Sequence, residues 1–171
     1  MALTATLSLS VGGTLTKNDF VSVVSDPISS GSNSFPAMSL ELTTGTGASQ
    51  SNVWHRSLRT LSASSGESID LYGSIVDPFG TTISFSRITT VLIAIVDPDG
   101  TKTLLIGPQS TANYWVGPWA TSTDSVNVKY WQAFVNASAT GWPVTSGTAD
   151  ILRISNPSAT SVQYVLWIVG S

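Results

Sequence analysis

Few side chains in this sequence could do chemistry. The one histidine, His55, sits in Val53-Trp54-His55-Arg56-Ser57, and the chain has no cysteine. Zinc sites of the usual kinds take several Cys and His ligands, so none is expected. A lone His reads as a hydrogen-bonded structural residue. Serine is plentiful, but no Gly-x-Ser-x-Gly elbow places one as a nucleophile. No glycine-rich loop opens a helix to cradle phosphate. Asp97 and Asp99 invite comparison with a calcium loop, but Asp97-Pro98-Asp99-Gly100 brings too few oxygens for an ion that takes 6–8. The acids are Glu41, Glu67 and a set of aspartates that stand mostly in turn-like contexts. No two of them stand out as the pair a glycosidase requires. No catalytic residue, metal site or cofactor follows, and the chain reads as a non-enzyme.

The six tryptophans are the remaining lead. Trp115 and Trp119, in Asn113-Tyr114-Trp115-Val116-Gly117-Pro118-Trp119, and Trp142, in Gly141-Trp142-Pro143, lie in loop-like sequence. Such aromatics suit a core cluster under a loop, a protein interface with Tyr114, or stacking on a sugar ring.

Composition narrows the class. Only 10% of the 171 residues are charged, against about 25% in ordinary globular chains. Serine and threonine fill the gap. A surface so poor in charge suits a molecule that lives paired with neighbours. The net charge is −3, and the seven basic residues (Lys17, Arg56, Arg59, Arg87, Lys102, Lys129 and Arg153) form no run. That argues against nucleic acid as a partner. No apolar stretch reaches the ~18 residues of a membrane helix, and Met1 to Thr6 has no signal-peptide character. Synthesis in the cytoplasm is expected. The absence of cysteine excludes the small disulfide-stapled class.

The elements that must carry these residues are strands. Leu3, Ala5, Leu7, Leu9 and Val11 alternate with Ser and Thr, the period of a half-buried strand. Val21–Val24 and Met38–Leu42 suggest two more, separated by a Ser/Gly/Asn loop. Residues 1–50 read as an N-terminal β arm, closed by a connection at 43–50. Residues 51–171 read as the main sandwich body, one domain overall. In the body, strands are expected at Val53–Leu61, Ser68–Tyr72, Val91–Val96, Thr103–Ile106 and Ser125–Phe134. Trp131 breaks the phase of the last of these, which marks a bulge or a strand end. Asp77-Pro78-Phe79-Gly80 and Asp97-Pro98-Asp99-Gly100 share turn chemistry, with Gly expected at positive φ. The second copy predicts a hairpin, and a last hairpin is predicted from Asp150–Ile154 to Val162–Val169. In that final strand Val162, Tyr164, Leu166 and Ile168 share one face, and Val165, Trp167 and Val169 share the other. Both faces therefore call for burial, the second against the chain's own arm or against another subunit. The fold class is all-β: a single antiparallel sandwich, jelly-roll-like.

From about residue 36 onward the chain resembles a family of small β-rich virion structural proteins of tailed bacteriophages and prophages. The residues that carry the likeness are Arg59 to Gly73 (RTLSASSGESIDLYG), Asp77 to Ile88 (DPFGTTISFSRI), Ala139 to Ile154 (ATGWPVTSGTADILRI) and the ending Val165 to Ser171 (VLWIVGS). Relatives begin with a similar arm that ends in a loop like Gly45 to Ala48. The Tyr and Trp content around 114–119 departs from many of them. The resemblance implies a virion component and carries over no catalytic residue. Size, β-content and low charge suit a capsid decoration (cement) protein on the capsid exterior, a homo-oligomer (a trimer by expectation) bound to the major capsid protein. The alternatives are a tail- or fibre-associated protein, or a carbohydrate-binding module using the loop tryptophans. The expected contact residues are Val165, Trp167, Val169, Leu3, Leu7, Tyr114, Trp115 and Trp119.

Overall fold

A computed structural model describes the backbone at 5–9, 14–19, 22–27 and 38–171 except 78 and 110–111, and side chains from Leu40 onward within that range. The described strands are β1 (Ala5–Leu9), β2 (Thr14–Asp19), β3 (Ser22–Pro27), β4 (Met38–Thr44), β5 (Gln50–Ser51), β6 (Val53–Leu61), β7 (Ser65–Asp70), β8 (Ile75–Val76), β9 (Thr82–Ile83), β10 (Arg87–Ile95), β11 (Thr103–Gly107), β12 (Val126–Lys129), β13 (Ala133–Pro143), β14 (Ile151–Asn156) and β15 (Val162–Gly170).

Two four-stranded sheets make the body, in the orders β13-β10-β15-β6 and β12-β11-β14-β7. Every neighbouring pair in them is antiparallel. This order is that of the eight-stranded jelly roll, two Greek keys wound into a sandwich. The sheets face each other over Ile88, Val91, Ile93, Leu104, Ile106, Leu152, Ile154, Leu166 and Ile168, all buried. Branched aliphatic residues at alternate positions put one face of each strand in this core. Residues β1 to β5 stand outside the two sheets, as a ladder of β1, β4 and β5 and a separate β2–β3 pair.

The jelly roll overturns both predicted hairpins. β10 and β11 flank Asp97 to Gly100 but belong to different sheets, as do β14 and β15 on either side of Asn156-Pro157. Gly100 is not among the glycines with positive φ. Its loop is held open by Lys102, whose Nζ donates to Asp97 Oδ2 at 2.8 Å and to the Ser161 carbonyl of the other crossing. The first Asp-Pro-x-Gly turn does close a hairpin, between β8 and β9. There Gly80 has φ 84° and its N–H bonds the Asp77 carbonyl at 3.0 Å. The expected strand Ser125–Phe134 divides into β12 and β13, one in each sheet, with Trp131 in the turn at φ 67°. The phase break at Trp131 is a strand end.

The two open sides of the sandwich are closed by different chemistry. Where β6 lies over β7, Arg59 makes a bidentate pair with Glu67, and the Tyr164 hydroxyl donates to the same carboxylate. Burial raises the Glu67 pKa, but the bonds from Arg59 and Tyr164 outweigh it and hold the carboxyl below its ordinary value. Where β13 lies over β12, the 108–125 loop inserts tryptophans. The Trp115 ring meets Trp119 and Trp142 edge-on at 6.0 and 6.3 Å, and Trp119 stacks on Phe134 at 5.2 Å.

Candidate interface

The residues with catalytic potential are occupied by structure. His55 is buried, its Nδ1 donating to the Val76 carbonyl and its Nε2 paired with the Ser57 hydroxyl, both at 3.0 Å. Burial pulls its pKa below 6.5, so the neutral ring serves as a bracket between β6 and β8. Asp97 and Asp99 spend their oxygens on Lys102 and on the Thr101 backbone and hydroxyl. Those bonds hold both carboxyls below their ordinary range. Among the described residues, no three His, Cys, Asp or Glu side chains converge on a metal position. Nor is any helix among them long and apolar enough to cross a membrane.

The loop aromatics are mostly interior. Trp115 is 1% exposed and its Nε1 donates to the Pro143 carbonyl at 3.0 Å. It therefore offers no ring to a sugar or a partner, which corrects its place among the expected contacts. Trp119, Trp142 and Tyr114 are half-buried. Trp119 turns one face to Phe134 and an edge to Trp115. A sugar needs an open ring face to stack on, and Phe134 covers one face of Trp119. The exposed tryptophan is Trp131, in the β12–β13 turn.

The outward face of the β13-β10-β15-β6 sheet is a different surface. Its register sets Leu58, Val165, Ala94 and Ala133 in one cross-strand row, and Arg56, Trp167, Leu92 and Val135 in the next. Leu58 is 64% exposed and Val135 43%, while Val165, Trp167, Leu92 and Ala94 are half-buried. In the third row, Trp54, Val169, Thr90 and Ala137, the Val169 side chain is only 1% exposed. That end lies against β5, so Val169 is not available as a contact. Arg56 is the one charged residue in the three rows. The opposite sheet turns Lys129, Asn127, Thr103, Ser155, Arg153, Ser68 and Asp70 outward, with Leu105 and Ile151 as apolar residues among them. Gln109 bridges it by donating to the Leu105 and Arg153 carbonyls at 2.9 and 3.2 Å. One outer face of the sandwich is thus mainly polar and the other mainly apolar. Contiguous exposed apolar surface marks an interaction site more often than a free surface.

Of the expected contacts, Val165 and Trp167 lie on this face. Leu3 falls outside the described residues. Leu7 lies in β1, opposite Leu40 of β4, and its side chain is outside the described set. Leu58, Leu92 and Val135 went unrecognised in the sequence. The signal for Leu58 was weak, because its side of the strand (Trp54, Arg56, Leu58 and Thr60) and the other (His55, Ser57 and Arg59) are both mixed in polarity. It gains meaning only once Val165 is known to be its neighbour.

No protein-family model and no curated protein matches this chain. Among solved structures it is similar to a chain described under the words "Bacillus endospore appendages form a novel family of disulfide-linked pili". The two are 12% identical with a TM-score of 0.36, over 70% of this chain and 87% of that one.

Proposed function

We propose that this protein is a structural component of a tailed-bacteriophage virion: a capsid decoration (cement) protein that assembles with itself and with the major capsid protein. The observation that carries this reading is the outer sheet face, two open rows of cross-strand neighbours with a single charge, opposite a mainly polar face on the same sandwich. Its role is mechanical and non-catalytic. Burying apolar surface yields about 25 cal/mol per Å² gross, and a contact repeated around a shell adds up without being tight at any one site. The jelly roll is a fold shared by capsid and lectin domains, so fold alone does not choose between them. The interior position of Trp115 and the covering of one Trp119 face by Phe134 favour assembly over glycan binding by the loop tryptophans.

The test is location. Antibody or gold labelling of purified virions, followed by a subunit-resolution map of the head, should place the protein on the capsid exterior in multiple copies. Signal confined to the tail would replace this reading with a tail or fibre role, and absence from the particle would end it.

A further inference from the structure

Trp131 is the most exposed large apolar side chain among the described residues, at 88%. Its backbone is also unusual. Trp131 is the third residue of the turn that the Gln132 N–H closes on the Lys129 carbonyl at 2.9 Å, and its φ is 67°. Positive φ at that turn position ordinarily takes Gly or Asn, and a bulky side chain there is strained. Residues held in such conformations cluster at functional sites. The fold does not call for the ring. The turn residue that packs on the core is Tyr130, with Trp131 tilted against it at 5.0 Å.

Trp131 stands where the open rows of the outer sheet face run out. Ala133, two residues on, is level with Ala94. Val96 carries β10 past Ala94: its N–H bonds the Gln163 carbonyl at 3.1 Å, and it is 46% exposed. Residues two apart on a strand share a face, so Val96 joins Ala94 and Leu92 on the outer side. The apolar surface therefore runs from Val135 and Leu92 up to the turn, and Arg56 is the one charge in its open rows. Arg56 is exposed, lies beside Trp167, and has no ion pair or side-chain hydrogen bond among the described residues. Trp and Arg present, with Lys, Asp and Glu absent, is the composition of an interface centre.

Charge complementarity decides between a second copy and a different protein. Apart from Glu41, every described carboxylate is engaged by its own chain, Glu67 and Asp97 in ion pairs and the others by turn N–H groups. Glu41 stands opposite Thr6 in the β1–β4 pair, with Ser8 and Ser39 as the next pair on that side. Among the described residues a second copy therefore offers Arg56 no free carboxylate set in apolar surface. A sugar fits no better. It needs polar side chains beside the aromatic ring to bond its hydroxyls, and Ala133, Ala94 and Val96 supply none. We propose that Trp131 anchors this chain to a protein of different sequence, whose surface holds an apolar pocket for the indole and a carboxylate for Arg56. Three strand spacings and about four residues put the two points about 20 Å apart. The inference rests on the virion reading above and specifies the chemistry of the capsid surface which that reading requires.

Full-length Trp131→Gly and Trp131→Asn test it, because both residues suit the turn and relax it. Each should melt at or above the wild-type temperature. The probe is phage heads assembled without this protein, to which purified wild type or variant is added and co-sedimented. Both variants should bind the heads about 30-fold more weakly than wild type, the loss of a hot-spot residue. Arg56→Glu should bind about 10-fold more weakly. Sedimentation velocity of the protein alone should not distinguish Trp131→Gly from wild type. A sharply lower melting temperature in both Trp131 variants would make the ring structural and overturn the proposal. Weaker self-association by Trp131→Gly would overturn it in favour of a second copy, and Trp131-dependent binding on a glycan array in favour of a sugar. Heads that bind wild type and Trp131→Gly alike would end this inference and leave the virion reading standing. Heads that bind no wild-type protein would end the virion reading, and this contact with it.

Discussion

Tyr164→Phe probes the clasp that closes the sandwich over β6 and β7. The Tyr164 ring is buried in the core, so phenylalanine keeps the packing and removes only the hydroxyl that donates to Glu67. A hydrogen bond to a charged acceptor contributes about 1.5–3 kcal/mol. Glu67 is partly open to water, and screening reduces that to about 1–2 kcal/mol. The sign of the pH dependence follows from the direction of the Glu67 shift. Its carboxyl is held below the ordinary value of 4.5 in the folded protein. Its contribution is therefore present above that value and lost as pH falls through the lower folded one. Asp97 is also held low by the Lys102 ammonium, and Asp99 and Asp124 by turn hydrogen bonds. They are the same in both proteins, so the difference between wild type and variant isolates the clasp. Urea unfolding at pH 7 should show the variant about 1–2 kcal/mol less stable. Below the folded-state Glu67 value, where the carboxyl is protonated, the remaining neutral bond contributes about 0.5–1.5 kcal/mol, so the gap should shrink to roughly half as pH falls. Equal stability at pH 7, or a gap that does not change with pH, would refute the clasp as the closing element.

Two further outcomes follow from packing. Trp115→Ala removes a buried ring that touches two other tryptophans and should cost about 3–5 kcal/mol, read as a lower urea midpoint; a stability within 1 kcal/mol of wild type would mean the ring is not core. Gly170→Ala should severely destabilise the fold, because a Cβ there would stand 2.1 Å from the Arg87 carbonyl oxygen; the melting temperature should fall sharply, and an unchanged one would contradict the close approach of β10 and β15.

The sequence by itself determined that this chain is built of strands, and in several places where they run. Val53–Leu61 coincides with β6, and Val162–Val169 falls one residue short of β15. The two faces of β15 were legible because alternation has a period of two and side chains at alternate positions share a face. Asn136–Gly141 alternates Asn, Ser and Thr with Ala and Gly, side chains too small to mark a buried face, so most of β13 was not. Alternation says which side of a strand is buried and nothing about which strand lies beside it. That is why two turns with strong local chemistry were read as hairpins, although the jelly roll uses them to pass from one sheet to the other. The interface had the same limit. Low charge and the doubly apolar final strand pointed to a second burial surface, but only the tertiary register set Leu58 and Ala94 beside Val165, and Arg56 and Leu92 beside Trp167, across strands distant in sequence. Tertiary packing alone also placed Trp115 inside the body. A Trp in loop-like sequence is compatible with core or surface, and the choice depends on whether another sheet edge lies near enough to cover it.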